Sequence, residues 1–295
     1  MDGVLLVDKP SGPTSHDIVA RLRSVSGERS IGHTGTLDPL ASGLLPLVLG
    51  RATRLAQFLT GGDKTYDAVI RLGSFTDTDD AQGQAVPDAG GGPRPDDAAL
   101  DAALTAFRGT FLQVPPRHSA KKIAGHKAYD LARQDRPVDL DPVSVTVRSL
   151  DLISRSGDDV RLTVTATAGF YVRALARDIG QALGCGAHLA ALRRTRSGTF
   201  GVEQALPFAD VERLGRDVER HLLSPSEALR DLAVVTVTEL GLRRARHGNP
   251  LSPEHLSGRW VPPGAAPVRV LDEAGRLVAL AYARGGALHP SVVLS

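Results

Sequence analysis

The sequence predicts a mixed α+β fold with a small β-rich unit at its C-terminal end, and three observations carry that reading. Segments with the period of a strand and segments with the period of a helix are interspersed along most of the chain. Their order lacks the regular βαβ rhythm of a doubly wound parallel sheet. Beyond Leu229 the texture changes to short apolar runs separated by turn formers, so two units are expected, 1–229 and 230–295. A length of 295 residues exceeds a typical single domain and suits one large unit with a small companion.

Residues 3–7 are a short apolar run, read as a buried strand that Lys9-Pro10-Ser11-Gly12-Pro13 breaks. Thr14-Ser15-His16-Asp17 then caps a helix running to about Arg23, because a Thr hydroxyl can accept from the first free backbone N–H groups. Tyr66, Ala68, Ile70 and Leu72 alternate with Asp67, Val69 and Arg71, the period of a half-buried strand. The Gly- and Pro-rich stretch 88–95 is a surface loop. Leu100, Ala103, Leu104 and Phe107 have helical spacing, closed by Gly109. Val143, Val145 and Val147 read as a strand, as do Val160, Leu162, Val164 and Ala166. Val172, Leu175, Ala176, Ile179 and Leu183 form a helical apolar stripe with Gly184 at its end. In the C-terminal unit the runs 234–237, 268–271, 277–282 and 292–294 read as strands, with Asp272-Glu273-Ala274-Gly275 as a hairpin turn.

Composition narrows the function classes. Hydrophobic residues make up 42% and charged residues 23%, ordinary for a globular protein with a real core. The net charge of +2 does not itself announce a nucleic-acid partner, but the charge is unevenly placed. Residues 76–101 carry seven Asp and one Arg, whereas 108–136 carry seven Lys or Arg, two His and two Asp. Clustered cations are the electrostatic footprint of phosphate binding, and equally of a solvated basic face. The single cysteine, Cys185, excludes an intrachain disulfide and fits a reducing compartment. No stretch approaches the roughly 20 apolar residues of a membrane span, and no secretory leader pattern opens the chain, so a cytoplasmic location is expected.

The most specific segment is Gly32-His33-Thr34-Gly35-Thr36-Leu37-Asp38-Pro39-Leu40-Ala41-Ser42-Gly43. It is a glycine-punctuated loop that sets one acid before a proline, which keeps Asp38 off helical backbone. Gly35 and Gly43 permit close approach by another chain. No P-loop pattern and no glycine-rich nucleotide-binding turn occurs, and Cys185 with His188 gives only two candidate metal ligands, so neither a metal nor a cofactor is expected. On spacing alone, Asp38 reads as a turn-stabilising residue more readily than as a catalytic one.

This segment resembles the catalytic loop of the pseudouridine synthases that modify uridine 55 in the T-loop of bacterial tRNA (the TruB type). Further blocks resemble the same family in the same order: residues 3–10 with Thr14-Ser15; Lys64-Thr65-Tyr66; Pro115 to Lys122 with Gly125 and Tyr129; Gly169-Phe170-Tyr171-Val172-Arg173; and Ala187-His188-Leu189 with Leu192 to Gly198. The resemblance implies a largely antiparallel catalytic sheet with an RNA-gripping insertion at about 110–137, and more loosely a PUA-like RNA-binding domain at the C-terminus. It implies that Asp38 is the nucleophile, that Arg173 pairs with it, and that Tyr66 stacks on the extruded uracil and assists proton transfer. His33, Tyr171 and Leu192 would contact the substrate. Lys121, Lys122, Lys127 and Arg133 in the insertion, with Arg193, Arg194 and Arg196, are candidate RNA-backbone contacts. Lys9 and Pro10 read as structural. His118, Ala168 and Phe170 depart from the family pattern and are expected at the pocket rim. The resemblance further implies a monomer acting on the tRNA T-arm without a guide RNA. The alternative is a non-catalytic tRNA-binding or tRNA-folding protein.

Overall fold

The computed structural model describes residues 1–87, 91–117, 140–258 and 264–294, together with the backbone of two short strands at 122–123 and 126–127. The larger unit begins with β1 (Gly3–Lys9), α1 (Ser15–Ser26), β2 (Ile31–His33) and β3 (Ser42–Leu49). It continues through α2 (Ala56–Thr60), β4 (Lys64–Leu72), α3 (Asp97–Ala106) and β5 (Gly109–Gln113). The short strands β6 (Lys122–Ile123) and β7 (His126–Lys127) pair with each other. Next come β8 (Val143–Ser156), β9 (Asp159–Ala166), α4 (Val172–Ala182) and β10 (Ala187–Ser197). Then β11 (Phe200–Gly201), β12 (Leu206–Pro207), α5 (Phe208–Leu214) and α6 (Pro225–Ala228) close the unit.

Ten strands form one mixed sheet in the order β12-β1-β3-β10-β4-β9-β8-β5, with β11 on β10 and β2 on β3. All its pairings are antiparallel except β1 with β12 and β3 with β10. The sequence accounts for which strands lie deepest. The unbroken apolar runs of β1 and β3 are buried on both faces. Leu5, Val7, Leu45 and Leu47 pack under α1, while Val4, Leu6, Leu44 and Val48 pack on Phe200. The alternating β4 buries Ala68, Ile70 and Leu72 against α3 and α4, buries Lys64 at its start, and turns Asp67 and Arg71 outward. Three apolar clusters therefore lie along one sheet, and Tyr66 and Leu192 touch the two larger cores, the one under α1 and the one under α3 and α4.

The Thr14 cap of α1 is complete: Asp17 N–H donates to its hydroxyl, and Asp17 accepts from the Thr14 N–H. The helix extends one turn past Arg23 to Gly27, a left-handed C-cap. Residues 109–113 pair with β8 as the sheet's edge strand, so the first residues of the expected insertion belong to the sheet itself. Of the rest, 118–121, 124–125 and 128–139 lie outside the described residues.

A second, five-stranded sheet follows, order β14-β13-β15-β16-β17, built from β13 (Val234–Val237), β14 (Leu256–Ser257), β15 (Val268–Leu271), β16 (Leu277–Arg284) and β17 (Ala287–Val293). The turn at Asp272 closes as its sequence predicts, with Gly275 N–H donating to the Asp272 carbonyl. The helix α7 (Glu239–Arg246) was not read from the sequence, nor were α2, α5 and α6 of the larger unit. The α7 cap, the Thr238 hydroxyl accepting from Gly241 N–H, follows directly on β13 at Val237 and opens no broad apolar stripe. Arg51 and Arg54 tie the second sheet to the first unit through the Leu294 and Val293 carbonyls.

The β3–β10 pairing joins the two cores and spans only Ser42↔Arg193 and Gly43↔Arg194. Gly43 has φ 99°, and a Cβ there would strike the Arg194 backbone. Close approach does occur at this glycine, and the approaching chain is the protein's own β10. Gly43→Ala is expected to cost at least about 2 kcal/mol of stability, from left-handed backbone plus overlap. An unchanged thermal midpoint would show that the two strands separate without cost.

Candidate active site

The loop carrying Asp38 joins β2 to β3 and is held from two sides. On one side, Gly12 N–H donates to Pro39 O at 2.8 Å and the Ser11 hydroxyl donates to Leu40 O at 3.0 Å. The buried Ser15 hydroxyl donates to Leu37 O at 3.0 Å and accepts from Leu37 N–H at 2.8 Å. Lys9, fully buried, donates to the carbonyls of Pro10 at 2.9 Å and Pro13 at 2.7 Å, which fixes the chain that holds the loop. On the other side, Arg194 donates to Leu44 O at 2.7 Å, Gly35 O at 3.0 Å and Thr36 O at 3.5 Å. A guanidinium can satisfy several carbonyls at once because its donors point in fixed, divergent directions.

Between these supports the Asp38 carboxylate is 39% exposed and meets the Arg173 Nε at 2.9 Å. Arg173 lies in the first turn of α4 and is only 6% exposed, so it pairs with Asp38 from beneath. Its guanidinium also donates to Thr78 O at 3.0 Å and faces the buried Asp80 carboxylate at 3.8 Å. Asp80 is fixed by the Thr78 hydroxyl at 2.7 Å and Gln82 N–H at 3.0 Å. A buried guanidinium between two carboxylates is fixed in direction.

Asp38, Tyr66, Tyr171, Arg173, Leu192 and Arg194 line a single cavity of about 240 Å³ at the seam between the two cores. The Tyr66 hydroxyl stands beside the Arg194 guanidinium; burial pushes that guanidinium down, and Tyr66 opposes the shift. Burial likewise pushes the Lys9 ammonium down to about 8, with the nearby Asp38 carboxylate opposing. His33 lies outside the cavity lining, with its ring edge-on to His16 at 5.5 Å. Its Nδ1 is buried without a hydrogen-bond partner among the described residues, and burial lowers its pKa.

Residues 23–172 match the family described as TruB family pseudouridylate synthase (N terminal domain), and 173–230 match the tRNA pseudouridylate synthase B C-terminal domain. The chain belongs to the TruB family of pseudouridylate synthases. It is similar to the tRNA pseudouridine synthase B of Gloeobacter violaceus, 42% identical over 301 residues, which span 100% of this chain and 99% of the relative. Its similarity to the tRNA pseudouridine synthase B of Solibacter usitatus is 40% over 299 residues, the whole of both chains. Among solved structures, a chain of an H/ACA RNP bound to a substrate RNA containing 2′-deoxyuridine matches with a TM-score of 0.75 and 26% identity, over 99% of this chain and 85% of that one. A chain of a Cbf5-Nop10-Gar1 complex also has a TM-score of 0.75, at 27% identity over 99% of this chain and 85% of that one. The boundary between the two TruB segments falls between Val172 and Arg173, inside α4, so it divides the sequence but not the folded unit.

Several expected site residues of this TruB chain need relocating. Arg194 is not an RNA-backbone contact: it is 1% exposed and spent on the carbonyls of the Asp38 loop. Arg193 forms two hydrogen bonds with Asp8, at 3.0 and 2.7 Å, so a phosphate would have to displace that carboxylate. Arg196 is exposed and stays available. All three sit on strand β10 rather than at the solvated helix end that their charge alone would allow. Lys122 and Lys127 are register partners in the β6–β7 hairpin, whereas Lys121, Arg133 and His118 lie outside the described residues. Phe170 lines the cavity, as expected, but it is 8% exposed and packed into the larger core, whereas Ala168 is exposed at the cavity. Asp80 was missed altogether, because nothing in the acidic run 76–101 singles it out and its partner is far away in sequence.

The Lys9 shift has a stability consequence. Below pH 8 the folded and unfolded chains both carry the Lys9 proton, and the folded chain bears the cost of a buried charge. Between pH 8 and the ordinary value of 10.5 the folded chain releases the proton first, so stability rises with pH. Unfolding of wild type and Lys9→Met in urea should therefore diverge over this range, wild type gaining up to about 1.4 kcal/mol per pH unit. A difference that stays constant with pH would mean that Lys9 remains charged in the fold.

Proposed function

We propose that this chain isomerises uridine to pseudouridine in tRNA, at position 55 of the T-loop, with Asp38 as nucleophile. The observation that carries the reading is the Asp38 carboxylate, oriented by Arg173 at 2.9 Å on the wall of a cavity of about 240 Å³. Cavities for larger ligands run to roughly 300–1,000 Å³, and this smaller one suits a single extruded base. The reaction breaks the C1′–N1 bond, turns the base and rejoins C1′ to C5; the proton lost from C5 is matched by one gained at N1. Nothing is added or removed overall. The protein's task is to hold a charged group at C1′ or the base and to manage that proton. Arg173 keeps the carboxylate aimed, while Tyr66 and Leu192 enclose the base. Tyr66, beside the Arg194 guanidinium, takes part in the final proton transfer.

The chain acts alone, as a monomer in the cytoplasm, without guide RNA, metal or cofactor. In support, relatives named tRNA pseudouridine synthase B match at 40–42% identity over the whole chain, against 26–27% for the H/ACA and Cbf5 chains. Among the described residues no helix is long and apolar enough to cross a membrane. Residues 230–295 serve as a PUA-like RNA-binding unit, with Arg243, Arg244 and Arg246 in the last turn of α7 as cations for the RNA backbone. Exposed Arg196, and Lys121, Lys122, Lys127 and Arg133 of the insertion, grip the T-arm; His33 contacts the reorganised loop.

Purified protein is expected to convert an unmodified T-arm stem-loop at its one target uridine with no guide RNA present. Asp38→Asn should bind the same RNA and lose at least about 10³-fold in turnover, since the amide is a poor nucleophile. Product from Asp38→Asn would sink the assignment. Binding by wild type without any conversion would instead make the protein a tRNA-binding or tRNA-folding factor.

A further inference from the structure

The segment that leads into the insertion is bound to the active-site helix by one buried amide. Gln113 ends β5, has no exposed surface, and its side chain reaches across to the backbone of Tyr171. Its Nε2 donates to Tyr171 O at 3.1 Å, and its Oε1 accepts from Tyr171 N–H at 2.9 Å. The primary amide thus meets both backbone groups of one residue, as an adjacent strand would. Tyr171 needs such a partner. It stands one residue before α4, on extended backbone at φ −116° and ψ 115°, and lies in no strand. Its carbonyl also starts the helix by accepting from Leu175 N–H at 3.1 Å.

One turn along α4, Arg177 makes a second tie to the same segment. It donates to Val114 O at 2.8 Å, and it pairs with Asp79 at 3.1 Å and Asp178 at 2.9 Å. Asp79 adjoins Asp80, which faces Arg173. The exit of β5, the acidic turn and the first two turns of α4 are therefore joined, with Tyr171 and Arg173 between the attachments.

We propose that Gln113 is a positioning residue for the reaction: its amide sets the backbone of Tyr171, and through it the Tyr171 side chain in the cavity and the Arg173 guanidinium against Asp38. The inference rests on the proposed isomerase reading. It assigns Gln113 no contact with the substrate, so its loss lowers turnover rather than RNA affinity.

The side chain's two roles can be separated by Gln113→Glu, which keeps size and acceptor but lacks the donor when ionised. A carboxylate would face the Tyr171 carbonyl without a proton between them, and burial raises its pKa. Conversion of the T-arm stem-loop is measured for wild type, Gln113→Glu and Gln113→Leu, from about pH 6 to about pH 8.5. Expected are a fall of about 10- to 100-fold in kcat for Gln113→Glu at the alkaline end, with KM near wild type, and recovery toward wild type as the pH drops. Gln113→Leu, if folded by circular dichroism, should stay impaired throughout. Wild-type kcat in Gln113→Glu across the range overturns the proposal. So does a loss that ignores pH and follows a lowered thermal midpoint, because that marks a structural role only. An inactive wild type removes the isomerase reading and this inference with it, and is told apart by that control alone.

Discussion

Arg194 is buried at the crossing of β3 and β10, and the geometry of the site depends on how that charge is satisfied. Burying a guanidinium without partners would cost several kcal/mol, so its donors must all be met. Here they meet carbonyls of the Asp38 loop and the start of β3. The same residue's backbone lies against Gly43, where no side chain fits. Side chain and backbone together press the loop onto the sheet at one place. The seam between the two cores opens into the cavity there, and Tyr66 lies opposite Arg194 in the β4–β10 register.

Around this crossing the protein uses buried and half-buried cations repeatedly, and each has a distinct task. Lys9 satisfies carbonyls of the chain that supports the loop from the α1 side. Arg173 reaches the carboxylate itself and is steadied from behind by Thr78 O and Asp80. Arg177 ties the acidic turn to the exit of β5. Asp38, the most exposed member of this set, is left with part of its surface facing the cavity. A reacting carboxylate needs both properties, since it must be held firmly and still be reachable. The acidic run 76–101 is thus in part the internal counter-charge for α4, which its composition alone does not reveal.

Alternation in β4, the full capping box of α1 and the apolar stripe of α4 are local patterns, and each formed where the sequence placed it. The C-terminal sheet followed from its short apolar runs and the turn at Asp272. Helix α7 escaped because its charged residues give no broad apolar stripe. Strand β5 was assigned partly to the insertion because Gly109 marks a break but does not say which sheet the next residues join.

The sequence by itself determined several of the elements, their mixed order, the change of texture near Leu229, and the loop carrying Asp38, because period, caps and glycine placement act over a few residues; strands β3 and β10 were not among them. Its family blocks also marked Tyr66, Tyr171, Arg173 and Leu192, which do meet in one cavity. Only the tertiary structure decided the fate of each charge. Arg193, Arg194 and Arg196 are close neighbours on one strand, yet one pairs with Asp8, one braces the loop, and one faces solvent. Asp80 and Gln113 became visible only when α4 was laid beside them. The physical reason is that a charge or amide is defined by what it is buried against, and those partners lie tens to hundreds of residues away along the chain.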